Sequence, residues 1–385
     1  MSQRSSGPAP LLVILTSLFL LLSPGFSLAG ELRIASWNIQ NLGWGENKSY
    51  PALARVASQF DILAIQEVMS ADAIEQLQAR LTGKTGVEWQ TLYSHRLGRS
   101  TYREKYAFLW RTDMVEYLDG AVVYIDAADL FAREPFSARF RARESGEDFV
   151  LANVHITYGR RVSDRTPEIK ALTDYWHWLA EIYPETARRR ILLGDFNLRQ
   201  NHPAWQSLNQ AATPLITEGA TTLSSHDRRY ANLYDNIWLA HDSELDVRHA
   251  GILEFPVLLT ETTGRHWSHE KARRHVSDHA PVYLLLGNAG LHTAGNGELY
   301  VPNRKATKAD NNQTLMVAAA TPQPACVDLN SATLEELAGI IHIGEARAAH
   351  IISGRPWASL TALRQIHGLG PARISDIRSQ GRVCE

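Results

Sequence analysis

The sequence predicts an α/β domain over residues 31–287, with a mixed sheet or two sheets, followed by a small all-helical unit over residues 326–385. Three observations carry that reading. Apolar strand-like runs alternate with helix-like stretches through the first region. Several of those runs stop at a residue able to bind metal or move a proton. Residues 288–325 then turn to Asn, Gly, Thr, Ala and Pro with little apolar periodicity, the composition of a flexible linker.

The elements follow in order. Residues 32–38 (LRIASWN) read as a strand, and 51–60 as a helix with Pro51 at its start. Residues 61–67 (DILAIQE) read as a buried strand ending in a carboxylate. Residues 71–81 form an amphipathic helix with Ile74, Leu77 and Leu81 on one face. Strands are expected at 106–111, 122–126, 138–143 and 149–157, the last two joined by the hairpin signal Glu-Ser-Gly-Glu-Asp. A helix at 168–182 precedes a strand at 190–194, and strands at 233–239 and 276–286 complete the domain.

Composition sets outer limits. The chain has 385 residues, 44% hydrophobic and 21% charged, the balance of a globular protein. Its formal net charge is -2, so a polyanionic partner would be met by local patches rather than a global basic field. Residues 1–29 read as a signal peptide: Arg4 supplies the positive region, Leu11 to Leu22 the apolar core, and Ser27-Leu28-Ala29 the cleavage signal. The run is short for a membrane span and is followed by Pro24 and Gly25. The expected location is therefore secreted or periplasmic. The two cysteines, Cys326 and Cys384, bracket the C-terminal unit and read as a disulfide in an exported protein.

The polar residues at strand ends form the functional signal. Asn38 ends the first strand and Glu67 the second. His155 sits in ANVHIT, Asp195 and Asn197 in LLGDFN, Asp235 in LYDNIW, and Asp278 with His279 in VSDHAP. Each alone has a bland reading as a turn former, a cap or a structural histidine. Together they place carboxylates, amides and imidazoles at sheet edges, where α/β architectures bind ligands.

That series (WNIQN, IQEV, GRSTYREKYAFLWR, NVHIT, GDFN, YDNI and SDHAP) resembles the DNase I-like endonuclease/exonuclease/phosphatase superfamily across essentially all of residues 31–287. The resemblance implies two packed mixed sheets flanked by helices and a nuclease that hydrolyses DNA phosphodiester bonds with low sequence specificity. It implies His279 as general base oriented by Asp235, and His155 as general acid oriented by Glu104. Imidazoles suit both roles because their ordinary pKa lies near ~6.5. Glu67 and Asn38 would hold a divalent cation, with Asp195, Asn197 and Asp278 completing the phosphate and metal cluster. Hard oxygen donors favour Mg²⁺, with Mn²⁺ as substitute, and calcium is assigned no role. The segment from Gly98 to Tyr106 looks like the DNA-contacting loop of the deoxyribonucleases, with Tyr102 for the minor groove and Arg99, Arg103 and Arg111 supplying local positive charge. Where the family often carries a groove-entering arginine two residues after the metal glutamate, this chain has Met69.

The C-terminal unit resembles the helix-hairpin-helix domains of competence DNA-uptake receptors. Its second hairpin, IHGLGPAR, has Gly368 and Gly370 in a tight turn whose backbone N–H groups would meet a DNA phosphate. The first, IHIGEAR, keeps Gly344 but has His342 where the first glycine belongs. Six arginines and six acids make the unit close to neutral, so its grip on DNA should be backbone-directed and weak. Two other readings stay open from sequence: a phosphodiesterase or phosphatase of the same superfamily acting on lipid or sugar phosphates, and a catalytically silent DNA-binding protein for uptake or retention.

Overall fold

The computed structural model describes residues 31–45, 47–225, 229–291, 327–380 and 383–384. The expected signal peptide, the expected linker and Cys326 lie outside the described residues, apart from the linker's first four positions. The chain divides between Lys305 and Ala306 into two compact units.

The first unit runs β1 (Leu32–Leu42), α1 (Tyr50–Ala57), β2 (Ile62–Val68), α2 (Ala71–Thr85), β3 (Trp89–Tyr93), β4 (Lys105–Arg111), β5 (Val115–Val123), β6 (Phe136–Ala142), β7 (Asp148–His155), α3 (Val162–Ile182), β8 (Arg190–Asp195), β9 (Ala212–Pro214), β10 (Asp235–Ala240), β11 (Val247–Ile252), α4 (Phe255–Thr263), α5 (His269–His275) and β12 (Val282–Leu286). The strands form two six-stranded sheets, ordered β11-β12-β1-β2-β4-β3 and β5-β6-β7-β8-β10-β9. Each is mixed: one parallel pair, β1–β2 or β7–β8, lies among antiparallel neighbours.

Side-chain alternation explains the layering. Ile62 and Ala64 point between the sheets, among Phe108, Phe140, Leu151 and Ile237. Leu63 and Ile65 point the other way, beneath Leu53, Ile74, Leu77 and Leu258 of the covering helices. The second sheet repeats the pattern, with Val150, Ala152 and Leu192 under Leu172, Trp176 and Leu179 of α3. Central strands buried on both faces read as unbroken apolar runs, which is why β2 and β8 stand out in the sequence.

Some elements differ from expectation. The strand expected at 122–126 begins earlier, as β5 from Val115. The helix expected at 168–182 starts at Val162 and carries Pro167 inside it, past the first turn, where a proline supplies no N–H to the preceding turn. The strand expected at 276–286 is confined to Val282–Leu286, because Val276 caps α5. The Glu-Ser-Gly-Glu-Asp hairpin is present, with Gly146 at φ 72°.

The second unit consists of α6 (Leu334–Ala338), α7 (Glu345–Ser353), a 3₁₀ turn (Leu360–Gln365) and α8 (Pro371–Gln380). Leu337, Ile340, Ile351, Leu363 and Ile377 form its core. A parallel bridge between Val327 and Val383, with Cys384 N–H donating to the Val327 carbonyl at 3.0 Å, brings its two ends together.

Candidate active site

The ends of β7, β8 and β10 meet in one row. His155 is the register partner of Asp195 across the parallel pair, and Asp235 is the partner of Asp195 on its other side. This row needs Gly194, where a Cβ would run into the Val154 carbonyl oxygen. The opposite sheet brings Asn38 from β1 and Glu67 from β2. Strand β2 is irregular between Ile65 and Val68, and Glu67 sits at φ 60°, a left-handed conformation that costs energy for a residue with a Cβ. Asn197 is similarly held at φ 50°.

A polar cluster between the sheets fixes their spacing beneath this row. Gln66 Nε2 donates to Asn153 Oδ1 at 2.7 Å and to Ser36 Oγ at 3.0 Å, and Asn153 Nδ2 donates to the carbonyls of Ile65 and Ala107. Such bonds are made between buried groups, so losing one partner leaves a desolvated orphan at ~1–3 kcal/mol.

Two imidazole–carboxylate pairs face each other over Asp195. His155 Nδ1 is 2.7 Å from Glu104 Oε1, and His279 Nδ1 is 2.7 Å from Asp235 Oδ2. Their Nε2 atoms lie 3.6 and 3.7 Å from the same Asp195 Oδ2. The His279 segment is fastened to β1: Ser277 Oγ donates to the Asn38 carbonyl at 2.6 Å, and Trp37 Nε1 donates to the His279 carbonyl at 2.9 Å. Asn38 Nδ2 bridges Glu67 Oε1 at 2.9 Å and Asp195 Oδ2 at 3.0 Å, joining the two sheets' carboxylates. Its Oδ1 accepts the Gln40 N–H. Asn197 donates its backbone N–H to Asp195 and its amide to the Ile156 carbonyl. Asp278 is paired with Arg273 at 2.8 Å.

The electrostatics separate the two pairs. Burial opposes the charged form of His279, but Asp235, Asp195 and Asp278 overcome it and hold the imidazole well above its usual pKa. Burial and Arg133 both oppose charging of His155, while Glu104 and Asp195 favour it, leaving a raised value. Burial also works against ionisation of Glu104, yet His155 and Arg133 keep it below the usual carboxylate range. Burial pushes Glu67 up, partly offset by His155. A buried carboxylate under that strain is a group that a bound cation would stabilise. Asp195, Asp235 and His279 also offer ligand atoms within 4.8 Å of one another. Within that group Asp235 and His279 are already joined to each other, while Asp195 Oδ2 also accepts from Asn38.

The loop residues divide. Tyr102 lies at the centre's edge, its OH donating to Asn41 Oδ1 at 2.9 Å, while the Asn41 N–H donates to Glu67 at 2.9 Å. Arg103 is exposed beside it, its Nε donating to the Ser100 carbonyl. Arg99 is held by Asp129 at 2.7 Å. Arg111 does not join them: it ends β4 at the opposite edge from Lys105, its guanidinium shared between Asp61 and Asp113. Met69 is buried, and the Arg96 guanidinium donates to its carbonyl at 2.8 Å. Sequence reasoning missed Arg133, which lies 3.6 Å from Glu104 and donates to the His155 carbonyl. It also missed Arg273 and the exposed Trp44, and no strand-end pattern marks any of the three.

In the C-terminal unit the hairpins are alike in shape. Gly368 takes φ 84° and His342 takes φ 64°, so the histidine adopts the conformation expected of glycine. Arg373 donates to the Gly368 carbonyl at 2.7 Å, and Arg347 to the His342 carbonyl at 3.0 Å. His342 Nε2 also pairs with Asp376 at 2.7 Å. A Cβ at Gly368 would meet Arg347, whereas Gly370 and Gly344 have open space, so steric blocking of the turn applies to Gly368 alone.

Comparison with known proteins gives the family. Residues 35–279 match the endonuclease/exonuclease/phosphatase family, and residues 324–382 match the helix-hairpin-helix motif. A deoxyribonuclease of Thioalkalivibrio sp. (strain K90mix) is 54% identical over 95% of this chain and 96% of its own length. Human deoxyribonuclease-1-like 1 is 34% identical over 72% of this chain and 90% of its own, and human deoxyribonuclease gamma is 27% identical over 78% and 97%. Among solved structures, an endonuclease/exonuclease/phosphatase family protein from Bacteroides thetaiotaomicron has a TM-score of 0.49 at 17% identity, covering 67% of this chain and 98% of that one. The chain therefore belongs to the endonuclease/exonuclease/phosphatase family, with a helix-hairpin-helix motif at its C-terminus.

Proposed function

We propose that the protein is an exported, divalent-metal-dependent deoxyribonuclease that hydrolyses DNA phosphodiester bonds with low sequence specificity. The observation that carries this reading is the convergence of two imidazole–carboxylate pairs on Asp195 Oδ2, at 3.6 and 3.7 Å. A phosphate seated there has an imidazole on either side. His279, oriented by Asp235 and acting in its neutral form, takes a proton from the attacking water as its oxygen bonds to phosphorus. His155, oriented by Glu104, gives a proton to the departing oxygen as the phosphorus–oxygen bond breaks. Asn197 would meet a phosphate oxygen.

Glu67, Asp195 and Asp278 would hold Mg²⁺, or Mn²⁺ in its place, with Asn38 joining the set. When bound, the cation neutralises phosphate charge and assists the developing oxyanion. Tyr102 with Arg103 would contact the DNA beside the cut. Residues 30–287 form the catalytic domain and residues 288–325 a flexible linker. Residues 326–385 hold DNA backbone through Gly368, Gly370 and the matching first hairpin. A Cys326–Cys384 disulfide would close that unit, supported by the Val327–Val383 bridge beside both cysteines. Residues 1–29 direct export to the periplasm or beyond.

Nicking of supercoiled plasmid by the mature protein tests the reading directly. Cleavage is expected with Mg²⁺, lost with chelator and restored by Mg²⁺ or Mn²⁺. Release of phosphate from lipid or sugar phosphates without any DNA cleavage would overturn it.

A further inference from the structure

A cleft of about 670 Å³ opens beside the hydrolytic centre, lined among others by Asn41, Trp44, Lys48, Arg273 and Arg274. It is continuous with that centre, since Asn41 bonds Glu67 and Arg273 pairs with Asp278. Among the described lining residues three cations face one acid, Glu270; Glu270 pairs with Arg274 at 2.9 Å as Asp278 pairs with Arg273 at 2.8 Å, and a cleft with this excess of cations suits an anionic occupant. The unexpected resident is Trp44, a large aromatic left 58% exposed. Its position is built rather than incidental. The Trp44 N–H closes a turn onto the Asn41 carbonyl at 3.1 Å, and Gly43 turns at φ 91° where a Cβ would crowd Ser70 and Ala73. The indole is supported by Tyr102, ring centroids 5.6 Å apart and tilted by 46°. Tyr102 is in turn bonded to Asn41. Trp44, Tyr102, Asn41 and Glu67 thus form one connected series from the cleft wall to the catalytic carboxylates.

We propose that this cleft seats unpaired nucleotides of a DNA strand next to the scissile phosphate, with one base stacked on Trp44 and phosphates drawn towards Arg273 and Arg274. This rests on the deoxyribonuclease reading and adds a substrate preference to it. Duplex grooves expose only base edges, and a base offers its face only once unpaired. An exposed indole in a basic cleft is therefore matched to single-stranded, gapped or frayed DNA.

One oligonucleotide, presented single-stranded and as duplex, tests this with the full-length protein and the variants Trp44→Ala, Trp44→Leu and Trp44→Phe. Base–aromatic stacking predicts that Trp44→Ala lowers the single-strand to duplex ratio of kcat/KM by ~10-fold, mainly through KM. Trp44→Phe should keep most of the ratio and Trp44→Leu should not, which separates stacking from bulk should Trp44→Ala destabilise the fold. Fluorescence anisotropy of the labelled single strand, in chelator, should show the same order of affinities. An unchanged ratio in Trp44→Ala of normal Tm, or Leu equal to Phe, would overturn the proposal while leaving the nuclease reading intact. Wild-type protein that cuts neither DNA form would sink the nuclease reading instead, and the anisotropy series would still judge the cleft.

Discussion

The two units of this chain use their distinctive residues in opposite ways. In the first, two bonded pairs, His155 with Glu104 and His279 with Asp235, close on the buried carboxylate of Asp195. In the second, the distinctive feature is backbone: left-handed turns at His342 and Gly368, each with its carbonyl captured by an arginine. A buried network of charged groups does chemistry because its members set one another's protonation. An exposed turn offers N–H groups and holds. Substitutions in the first unit should therefore register in kcat, and those in the second in KM or local stability.

The largest effect that would sharpen this contrast is loss of an imidazole. His155→Ala or His279→Ala should lower kcat on DNA by ~10²–10⁴-fold with an unchanged circular dichroism spectrum. Near-wild-type cutting by either variant would break the assignment. Removal of the second unit after Gly287 should raise KM on long DNA by ~10-fold, below the usual range for linked sites because that unit is nearly neutral, and leave kcat within twofold. On oligonucleotides too short for both units the loss should disappear. A truncated protein that is folded but inactive on every length would show that the units do not divide the work in this way.

The pH response distinguishes the two imidazoles within the first unit. Both have folded pKa values raised above the ordinary ~6.5, so their stabilisation is complete below that pH and is lost as pH rises through the folded values. In chelator, Tm should fall as pH increases from about 6.5. His279→Ala should flatten this slope more than His155→Ala, since His279 alone of the two is held well above its ordinary value. Equal slopes in the two variants would remove the distinction. The smallest effects belong to the turns. Gly368→Val should lower the stability of the C-terminal unit by ~1–2 kcal/mol, from its positive φ and its contact with Arg347. Gly370→Val has room for its side chain and should change Tm little, so any loss of DNA affinity there reports on phosphate approach.

The legible parts of the sequence were those whose pattern is local. Strands β7 and β8 are apolar runs that stop at a polar residue, β1 and β2 run past the expected ends at Asn38 and Glu67 to Leu42 and Val68, and α2 shows its stripe within one window. Edge strand β3 buries only Trp89 fully, and α5 (HEKARRH) buries only Ala272, so neither carries a periodic signal. Arg111 looked like part of the basic loop by proximity in sequence, yet the length of β4 carries it to the far edge of the sheet. Trp44, Arg133 and Arg273 matter through neighbours distant in the chain, and single residues in loops leave no periodic trace.

By itself, then, the sequence determined the two units, the residue types at the strand ends and the family to which they belong, because side-chain periodicity and motif order are properties of the chain. Tertiary structure alone decided which group holds which. Glu104 reaches His155 across 51 residues and Asp235 reaches His279 across 44, and Arg133 enters between Glu104 and the His155 backbone from the loop before β6. Those pairings depend on two sheets packing at one register, and the same packing makes the cluster dry enough for neighbouring charges to shift each other's pKa.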